Sequence, residues 1–91
     1  IGGHRIALQD VPPYILATGE PLQFAGLNSI GLRRRNFDLK TRNLIKNAYK
    51  FIYKSKYNMK EAIQKIKDDL EVIDEIKTII NFIEKSERGI I

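Results

Sequence analysis

The chain has 91 residues, which is enough for one small domain. Hydrophobic residues make up 43% and charged residues 30%, a composition typical of a globular protein rather than of a disordered segment. No apolar run reaches the roughly 20 residues of a membrane-spanning helix. Cysteine is absent and His4 is the one histidine, so we expect neither a metal site nor a cofactor.

The first residues, Ile1-Gly2-Gly3-His4, have neither a basic start nor an apolar stretch long enough for a signal peptide. We therefore expect a cytoplasmic protein. The chain also begins without methionine and is apolar from its first residue, so we interpret it as a fragment.

The net charge of +5 is concentrated in the middle of the chain. Residues 33–65 carry eleven Lys and Arg against two acidic residues, whereas residues 1–32 and 66–91 have net charges of −1 and −3. A segment this basic attracts a nucleic acid, a phosphate group or an acidic protein. The alternative is a solvated helix face, where lysines four residues apart are common.

Residues 1–20 are predicted to contain short β-strands. Val11-Pro12-Pro13-Tyr14 is incompatible with a helix, because proline lacks the backbone donor and keeps the preceding residue extended. Residues 14–18 are typical of a short strand that stops at Gly19. So few strands are marginal by themselves, and we expect them to belong to a larger β-structure or to a neighbouring chain.

From Glu20 onward the apolar periodicity predicts helices. A first helix is expected to run from Pro21 into the three consecutive arginines, with Gly26 and Gly31 permitting close approach of backbone or ligand. A second helix is predicted over about residues 39–54.

Local capping signals mark the start of each later helix. Asp38 is the candidate N-cap of the second helix. Asn58 and Glu61 form a capping-box pattern before a third helix, and Asp74 is the candidate N-cap of a fourth that ends near Gly89. The prediction is a β-segment followed by a small helical bundle.

The three arginines, Arg33, Arg34 and Arg35, form the most informative polar site. They point in different directions on a helix, so at least one is expected to face inward or toward a bound anion. Asn28 lies about two turns before Arg34 and Arg35, near the same face, and could bind a nucleotide head group with them. The alternative is a salt-bridged surface cluster.

Three other residues, His4, Tyr49 and Tyr53, are candidate functional residues. His4 has no Ser, Asp or Glu at a recognisable spacing, so it is a weak catalytic candidate. Tyr49 and Tyr53 alternate with basic residues and could stack on nucleic-acid bases, although such tyrosines are more often half-buried helix residues.

Four motifs are distributed along the chain from Gln9 to Ile91. They are Gln9-Asp10-Val11-Pro12-Pro13-Tyr14, Gly26-Leu27-Asn28-Ser29-Ile30-Gly31-Leu32-Arg33-Arg34-Arg35-x-Phe37, Asn47-Ala48-Tyr49-Lys50-x-Ile52-Tyr53 and Ser86-x-Arg88-Gly89-Ile90-Ile91. Together they resemble the carboxyl-terminal third of the UDP-N-acetylglucosamine O-acyltransferase family.

This resemblance implies a fold and an activity. The family is a trimeric cytoplasmic enzyme that moves a 3-hydroxyacyl group from acyl carrier protein to the 3-hydroxyl of UDP-N-acetylglucosamine, the first step of lipid A biosynthesis. Its fold is a left-handed parallel β-helix of hexapeptide repeats followed by a helical domain. The implied fold class is mainly α, with residues 1–20 as the last β-helix coil and residues 21–91 as the helical bundle. The implied partners are acyl carrier protein and UDP-N-acetylglucosamine, and the implied assembly is a homotrimer. Neither a nucleic-acid partner nor a membrane span is expected.

The resemblance also implies roles for individual residues. The positions that match UDP-sugar ligands are Asn28, Arg34 and Arg35. Gly3 matches a glycine of the acyl-chain groove, and Lys46 and Lys50 match basic positions that face acyl carrier protein. Ile30 stands where some members have Glu, so the ribose or uracil contacts are expected to differ.

The family's catalytic histidine lies earlier in the β-helix and is not matched by His4. The chain alone is therefore expected to be inactive. The alternative functions are a basic helical module that binds nucleic acid or an acidic protein, and a purely structural trimerisation cap.

Overall fold

A computed structural model describes residues 9–87 and 89–91, so Gly3 and His4 lie outside the described residues. This part of the chain is mainly helical with one two-stranded sheet, and no described helix is long and apolar enough to cross a membrane. In chain order the elements are β1 (Ile15–Thr18), β2 (Gln23–Leu27), α1 (Ser29–Arg34), α2 (Leu39–Tyr53), α3 (Met59–Asp69) and α4 (Asp74–Lys85).

A β-hairpin occupies the region where the first helix was expected to begin. Strands β1 and β2 pair antiparallel, with Ala17 opposite Phe24. The prediction of a helix from Pro21 is therefore wrong for β2, and the helix begins only at Ser29. Gly26 supplies the physical reason, since its φ of 109° lies far outside the helical region.

The hairpin also lies across the boundary predicted between residues 20 and 21. Its two strands are on opposite sides of that boundary and form a single paired unit. Within residues 9–87 and 89–91 there is no coil of a parallel β-helix, because the one named sheet is antiparallel.

The second and third helices begin at their predicted caps. Asp38 Oδ1 accepts a hydrogen bond from the Thr41 N–H at 2.8 Å, and this bond holds the pKa of the Asp38 carboxyl below its usual value. Asn58 Oδ1 accepts from the Glu61 N–H at 2.9 Å, while Glu61 Oε1 accepts from the Asn58 N–H at 3.1 Å. Both halves of the predicted capping box are therefore present.

The start of the fourth helix differs from the prediction. Ile73 is the N-cap and makes no side-chain cap bond, while Asp74 is the first helical residue. The carboxylates of Asp74 and Glu75 lie in the first turn, where negative charge interacts favourably with the helix dipole. The helix ends at Lys85, a turn before the expected end at Gly89.

The hydrophobic core joins the hairpin to the helices. Tyr49 is 1% exposed and packs in the same cluster as Ile15 of β1 and Leu32 of α1. The isoleucines of this cluster are Ile15, Ile45, Ile63, Ile66, Ile76, Ile79, Ile80 and Ile83. Since one cluster contains residues from the hairpin, α1 and the later helices, these elements are held in a fixed arrangement.

The carboxyl-terminal residues are tied to the segment before the hairpin. The Asp10 N–H donates to the Gly89 carbonyl at 2.9 Å, and the Ile91 N–H donates to the Asp10 carbonyl at 3.1 Å. The Ser86 hydroxyl reaches Asp10 Oδ2 at 2.7 Å, and the Tyr53 hydroxyl donates to the Ile91 carbonyl at 3.0 Å. These bonds fix the segment that leads into β1.

Replacing Asn58 by alanine should lower the free energy of unfolding by about 1 kcal/mol, because the Glu61 N–H loses its side-chain acceptor, Asn58 Oδ1. Chemical denaturation monitored by circular dichroism measures this change. Asn43→Ala, at an exposed position inside α2, is the matched control and should leave the stability unchanged or slightly higher. An equal loss in both variants would contradict the role of the cap.

Candidate functional site

Three stacked aromatic rings join the hairpin to α2. The Phe24 and Tyr53 ring centroids are 4.3 Å apart, and those of Tyr49 and Tyr53 are 6.0 Å apart. Burial raises the pKa of Tyr49 well above its usual value and that of Tyr53 to about 12, so both hydroxyls remain protonated donors. These tyrosines are therefore structural, and the buried Tyr49 ring is not available to stack on a nucleic-acid base.

Tyr14 brings two of the predicted site residues together. Its carbonyl accepts a hydrogen bond from the Asn28 N–H at 2.9 Å. The Arg35 guanidinium lies 5.6 Å from the centre of the Tyr14 ring, within the range of a cation–π contact. Asn28 and Arg35 therefore both contact Tyr14, one through the main chain and one through the ring.

The backbone of Tyr14 has an uncommon conformation for a residue with a side chain. Its φ is 70°, in the left-handed region. The Tyr49 hydroxyl donates to the carbonyl of the preceding Pro13 at 2.6 Å, and this bond holds the corner in place. Strained residues of this kind are frequent at functional sites when the surrounding structure supports them.

Arg35 packs against a pair of aromatic rings, Tyr14 and Phe37, whose centroids are 5.8 Å apart. Its guanidinium is 4.9 Å from the centre of the Phe37 ring as well as 5.6 Å from that of Tyr14. The rings contact the guanidinium without using its N–H groups as donors. These N–H groups therefore remain able to donate hydrogen bonds, and their planar arrangement matches the oxygens of a phosphate. All three arginines are exposed, Arg33 and Arg34 on α1 and Arg35 at its C-cap. Among the described residues none of the three arginines forms an ion pair, so the alternative of a salt-bridged cluster is not supported.

Asn28 and Arg35 lie at opposite ends of α1. Asn28 is the N-cap of α1 and Arg35 is its C-cap. The Asn28 Oδ1 accepts from the Gly31 N–H at 3.2 Å, which commits the oxygen to the helix. The Nδ2 group, which has no acceptor among the described residues, remains available as a donor.

A basic cleft lies beside this corner. Its volume is about 490 Å³, and Lys46, Lys50 and Lys54 line it together with Phe24 and Tyr49. The three lysines are exposed and none forms an ion pair with another described residue. The lysine ammonium groups attract an acidic ligand, and the aromatic rings can contact an apolar part of the same ligand.

The structure thus places five of the six predicted site residues. Asn28 and Arg35 meet at Tyr14, Arg34 is exposed on α1, and the lysines of α2 line the cleft. Gly3 lies outside the described residues. Sequence reasoning missed Tyr14, although the Pro-Pro-Tyr sequence marked a break in regular structure. Within the described part of the chain, no group of three or more His, Cys, Asp or Glu is placed to hold a metal ion.

The hairpin, the short α1 and the three longer helices form a small, mainly helical domain. Its candidate site consists of amide and cationic donors, which are suited to an anionic ligand. A profile of the family described as UDP N-acetylglucosamine O-acyltransferase, domain 2, matches residues 10–91. The chain belongs to this family, and the resemblance found in the sequence is confirmed.

Two relatives carry the name acyl-[acyl-carrier-protein]–UDP-N-acetylglucosamine O-acyltransferase. The protein of Thermodesulfovibrio yellowstonii is 48% identical over 82 residues, which are 90% of this chain and 32% of the relative. The protein of Aliivibrio salmonicida is 37% identical over 91 residues, which are 100% of this chain and 35% of the relative. The chain thus spans about a third of the length of these relatives.

Solved structures show the same fold. The UDP-N-acetylglucosamine acyltransferase LpxA from Bacteroides fragilis superposes with a TM-score of 0.88 at 46% identity, covering 91% of this chain and 32% of the other. LpxA from Acinetobacter baumannii gives a TM-score of 0.86 at 37% identity, covering 92% and 33%. The arrangement of hairpin and helices is therefore that of one segment of these larger proteins.

Proposed function

We propose that the chain is the carboxyl-terminal part of an acyltransferase. In this proposal the whole protein transfers a 3-hydroxyacyl group from acyl carrier protein to the 3-hydroxyl of UDP-N-acetylglucosamine, the first step of lipid A biosynthesis. The observation that carries the proposal is the family match over residues 10–91, with relatives named for these two substrates.

The proposed UDP-sugar ligands are Asn28, Arg34 and Arg35. Two features support this assignment. The aromatic rings of Tyr14 and Phe37 restrain the Arg35 guanidinium, so little conformational freedom is lost when its N–H groups bind a phosphate. The Asn28 carboxamide is held by its cap bond to Gly31, which leaves Nδ2 as the donor.

The proposed site for acyl carrier protein is the basic face of α2. Lys46 and Lys50 are one helical turn apart, on the side of α2 that lines the cleft beside Phe24. Exposed charges of this kind steer an oppositely charged partner more than they add to its final affinity. This role is consistent with their lack of ion pairs among the described residues.

Other parts of the proposal concern regions beyond the described residues. Gly3 is proposed to line the end of the acyl-chain groove. The catalytic histidine is proposed to come from the earlier part of the whole protein. We also propose a cytoplasmic homotrimer, as the family resemblance implies.

An acyl-transfer assay tests the proposal. The full-length protein that carries this sequence, incubated with a 3-hydroxyacyl thioester of acyl carrier protein and UDP-N-acetylglucosamine, should yield the 3-O-acyl product, identified by mass spectrometry. Purified material whose intact mass equals that of this chain should give none, because the general base is missing. The absence of product from the full-length protein would contradict the proposed reaction, and turnover by the chain alone would contradict the missing base.

Reversing the charge of Lys46 and Lys50 in the full-length protein should reduce kcat/KM for the acyl carrier protein substrate by about tenfold or more at low salt, because steering is lost. The difference should shrink as salt screens the charges. The KM for the UDP-sugar should stay the same.

The matched control reverses two exposed lysines elsewhere, Lys60 of α3 and Lys77 of α4. It has the same net charge as the test variant but keeps the cleft intact. Steady-state kinetics at two ionic strengths compare the two double variants. If kcat/KM for the acyl carrier protein substrate fell equally in both double variants, only the overall charge would matter. That result would contradict the assignment of Lys46 and Lys50 to a docking face.

A further inference from the structure

Gly31 lies in the middle of the six-residue helix α1. Glycine is among the least favourable residues in a helix interior, because it loses much conformational freedom on folding. Its backbone is not in the left-handed region, so the main-chain conformation does not require a glycine. The reason for a glycine at position 31 must therefore lie in the groups that surround it.

The Asn28 side chain occupies the space beside Gly31. A Cβ atom added to Gly31 would lie 2.6 Å from Asn28 Nδ2 and 2.9 Å from Asn28 Cγ. Real Cβ atoms essentially never approach other atoms this closely, so any larger residue at position 31 would displace the carboxamide.

The backbone of Asn28 is restrained against relieving this contact. Its N–H donates to the Tyr14 carbonyl at 2.9 Å, and its own carbonyl accepts from the Leu32 N–H at 3.0 Å. Because both the N–H and the carbonyl of Asn28 are hydrogen-bonded, its main chain is held in place. The Asn28 side chain would therefore have to move. The bond from the Gly31 N–H to Oδ1 would be lost or weakened, and Nδ2 would move with it.

We propose that Gly31 is a positioning residue for the UDP-sugar site. Because it has no side chain, the Asn28 carboxamide can lie against α1 with Oδ1 on the helix cap and Nδ2 available to the ligand. The inference rests on the proposed function, in which Asn28 binds UDP-N-acetylglucosamine. Gly31 itself makes no contact with the sugar in this account and acts only through Asn28.

The test is a double-mutant cycle in the full-length protein with Asn28→Ala, Gly31→Ala and the combination. Gly31→Ala should raise the KM for UDP-N-acetylglucosamine by about fivefold to tenfold, the effect of losing one hydrogen bond. The KM for the acyl carrier protein substrate and kcat should change by less than about twofold. In the Asn28→Ala background, Gly31→Ala should have no further effect on KM, because the displaced group is already absent.

Thermal unfolding separates positioning from folding. In Gly31→Ala the gain in helix propensity opposes the loss of the cap, so the Tm should stay within a few degrees of that of the unsubstituted protein. If Gly31→Ala fails to fold, the double variant, which lacks the close contact, should fold and show the KM of Asn28→Ala. A double variant that also fails to fold would overturn the inference.

The kinetic outcomes distinguish the inference from the proposed function. An unchanged KM in Asn28→Ala would contradict the assignment of Asn28 to the UDP-sugar site, and the inference would fall with it. A raised KM in Asn28→Ala together with a normal KM in Gly31→Ala would overturn the inference alone. Fully additive effects would also overturn it, since Gly31 would then act by a route other than Asn28.

Discussion

Replacement of Arg35 by alanine is expected to raise the KM for UDP-N-acetylglucosamine by about tenfold to a hundredfold, with a much smaller change in kcat. A charge-assisted hydrogen bond contributes about 1.5 to 3 kcal/mol, and each 1.4 kcal/mol is a factor of ten. The effect should be large because Tyr14 and Phe37 already restrain the guanidinium, so most of the interaction energy is available for binding.

Two further substitutions make this prediction specific. Arg33→Ala should change the KM by less than about threefold, because the exposed Arg33 has no aromatic contact among the described residues and its loss removes mainly long-range attraction. Arg35→Lys keeps the charge but loses the planar fork, so its KM should lie between those of the unsubstituted protein and Arg35→Ala. Steady-state kinetics of the full-length protein measure all three. Equal effects of Arg33→Ala and Arg35→Ala would contradict the positional assignment.

The second large effect concerns folding. Tyr49→Ala should lower the free energy of unfolding by about 3 to 5 kcal/mol, because a ring that is 1% exposed is replaced by a cavity. That loss is comparable to the whole stability of a small domain, about 5 to 15 kcal/mol. Urea denaturation followed by circular dichroism measures it.

Tyr49→Phe separates the hydroxyl from the ring. It removes the 2.6 Å bond to the Pro13 carbonyl and leaves that partly buried acceptor without its partner, so a loss of about 1 to 2 kcal/mol is expected. Tyr57→Phe is the matched control, since the Tyr57 ring is 40% exposed and its hydroxyl makes no hydrogen bond to a described residue. If the two Tyr→Phe variants were equally stable, the bond to Pro13 would not hold the corner.

Helices α2 and α3 could be predicted because their signals are local. Each has a cap residue immediately before it, and the capping box of Asn58 and Glu61 involves residues only three apart. The Asp74 cap was wrong because the same carboxylate is equally favourable inside the first turn, where it interacts with the helix dipole.

The first strand of the hairpin was predicted and is confirmed, but the second could not be predicted from its own residues. Phe24 and Leu27 are three apart, a spacing typical of a helix, yet both lie in β2. The Phe24 ring stacks on Tyr53 at 4.3 Å, a contact between residues far apart in the chain. Tertiary packing therefore overrides the local pattern, and Gly26 permits the conformation that results.

The candidate site was predicted in part. Asn28 and Arg35 were grouped by helical spacing, but in the structure both contact Tyr14, which lies in the turn before β1. The left-handed φ of Tyr14 and the bond between Tyr49 and Pro13, 36 residues apart, have no local signature. Gly31 was predicted to permit close approach of backbone or ligand, whereas the group beside it in the structure is the Asn28 side chain.

The most direct test of the account is a crystal structure of the full-length protein with UDP-N-acetylglucosamine. We predict an oxygen of the UDP-sugar within about 3.2 Å of an Arg35 guanidinium nitrogen and another acceptor within about 3.2 Å of Asn28 Nδ2. The guanidinium should remain against the Tyr14 and Phe37 rings, and Asn28 Oδ1 should remain bonded to the Gly31 N–H. A UDP-sugar bound elsewhere, with no ligand atom within about 4 Å of Asn28, Arg34 or Arg35, would contradict the account.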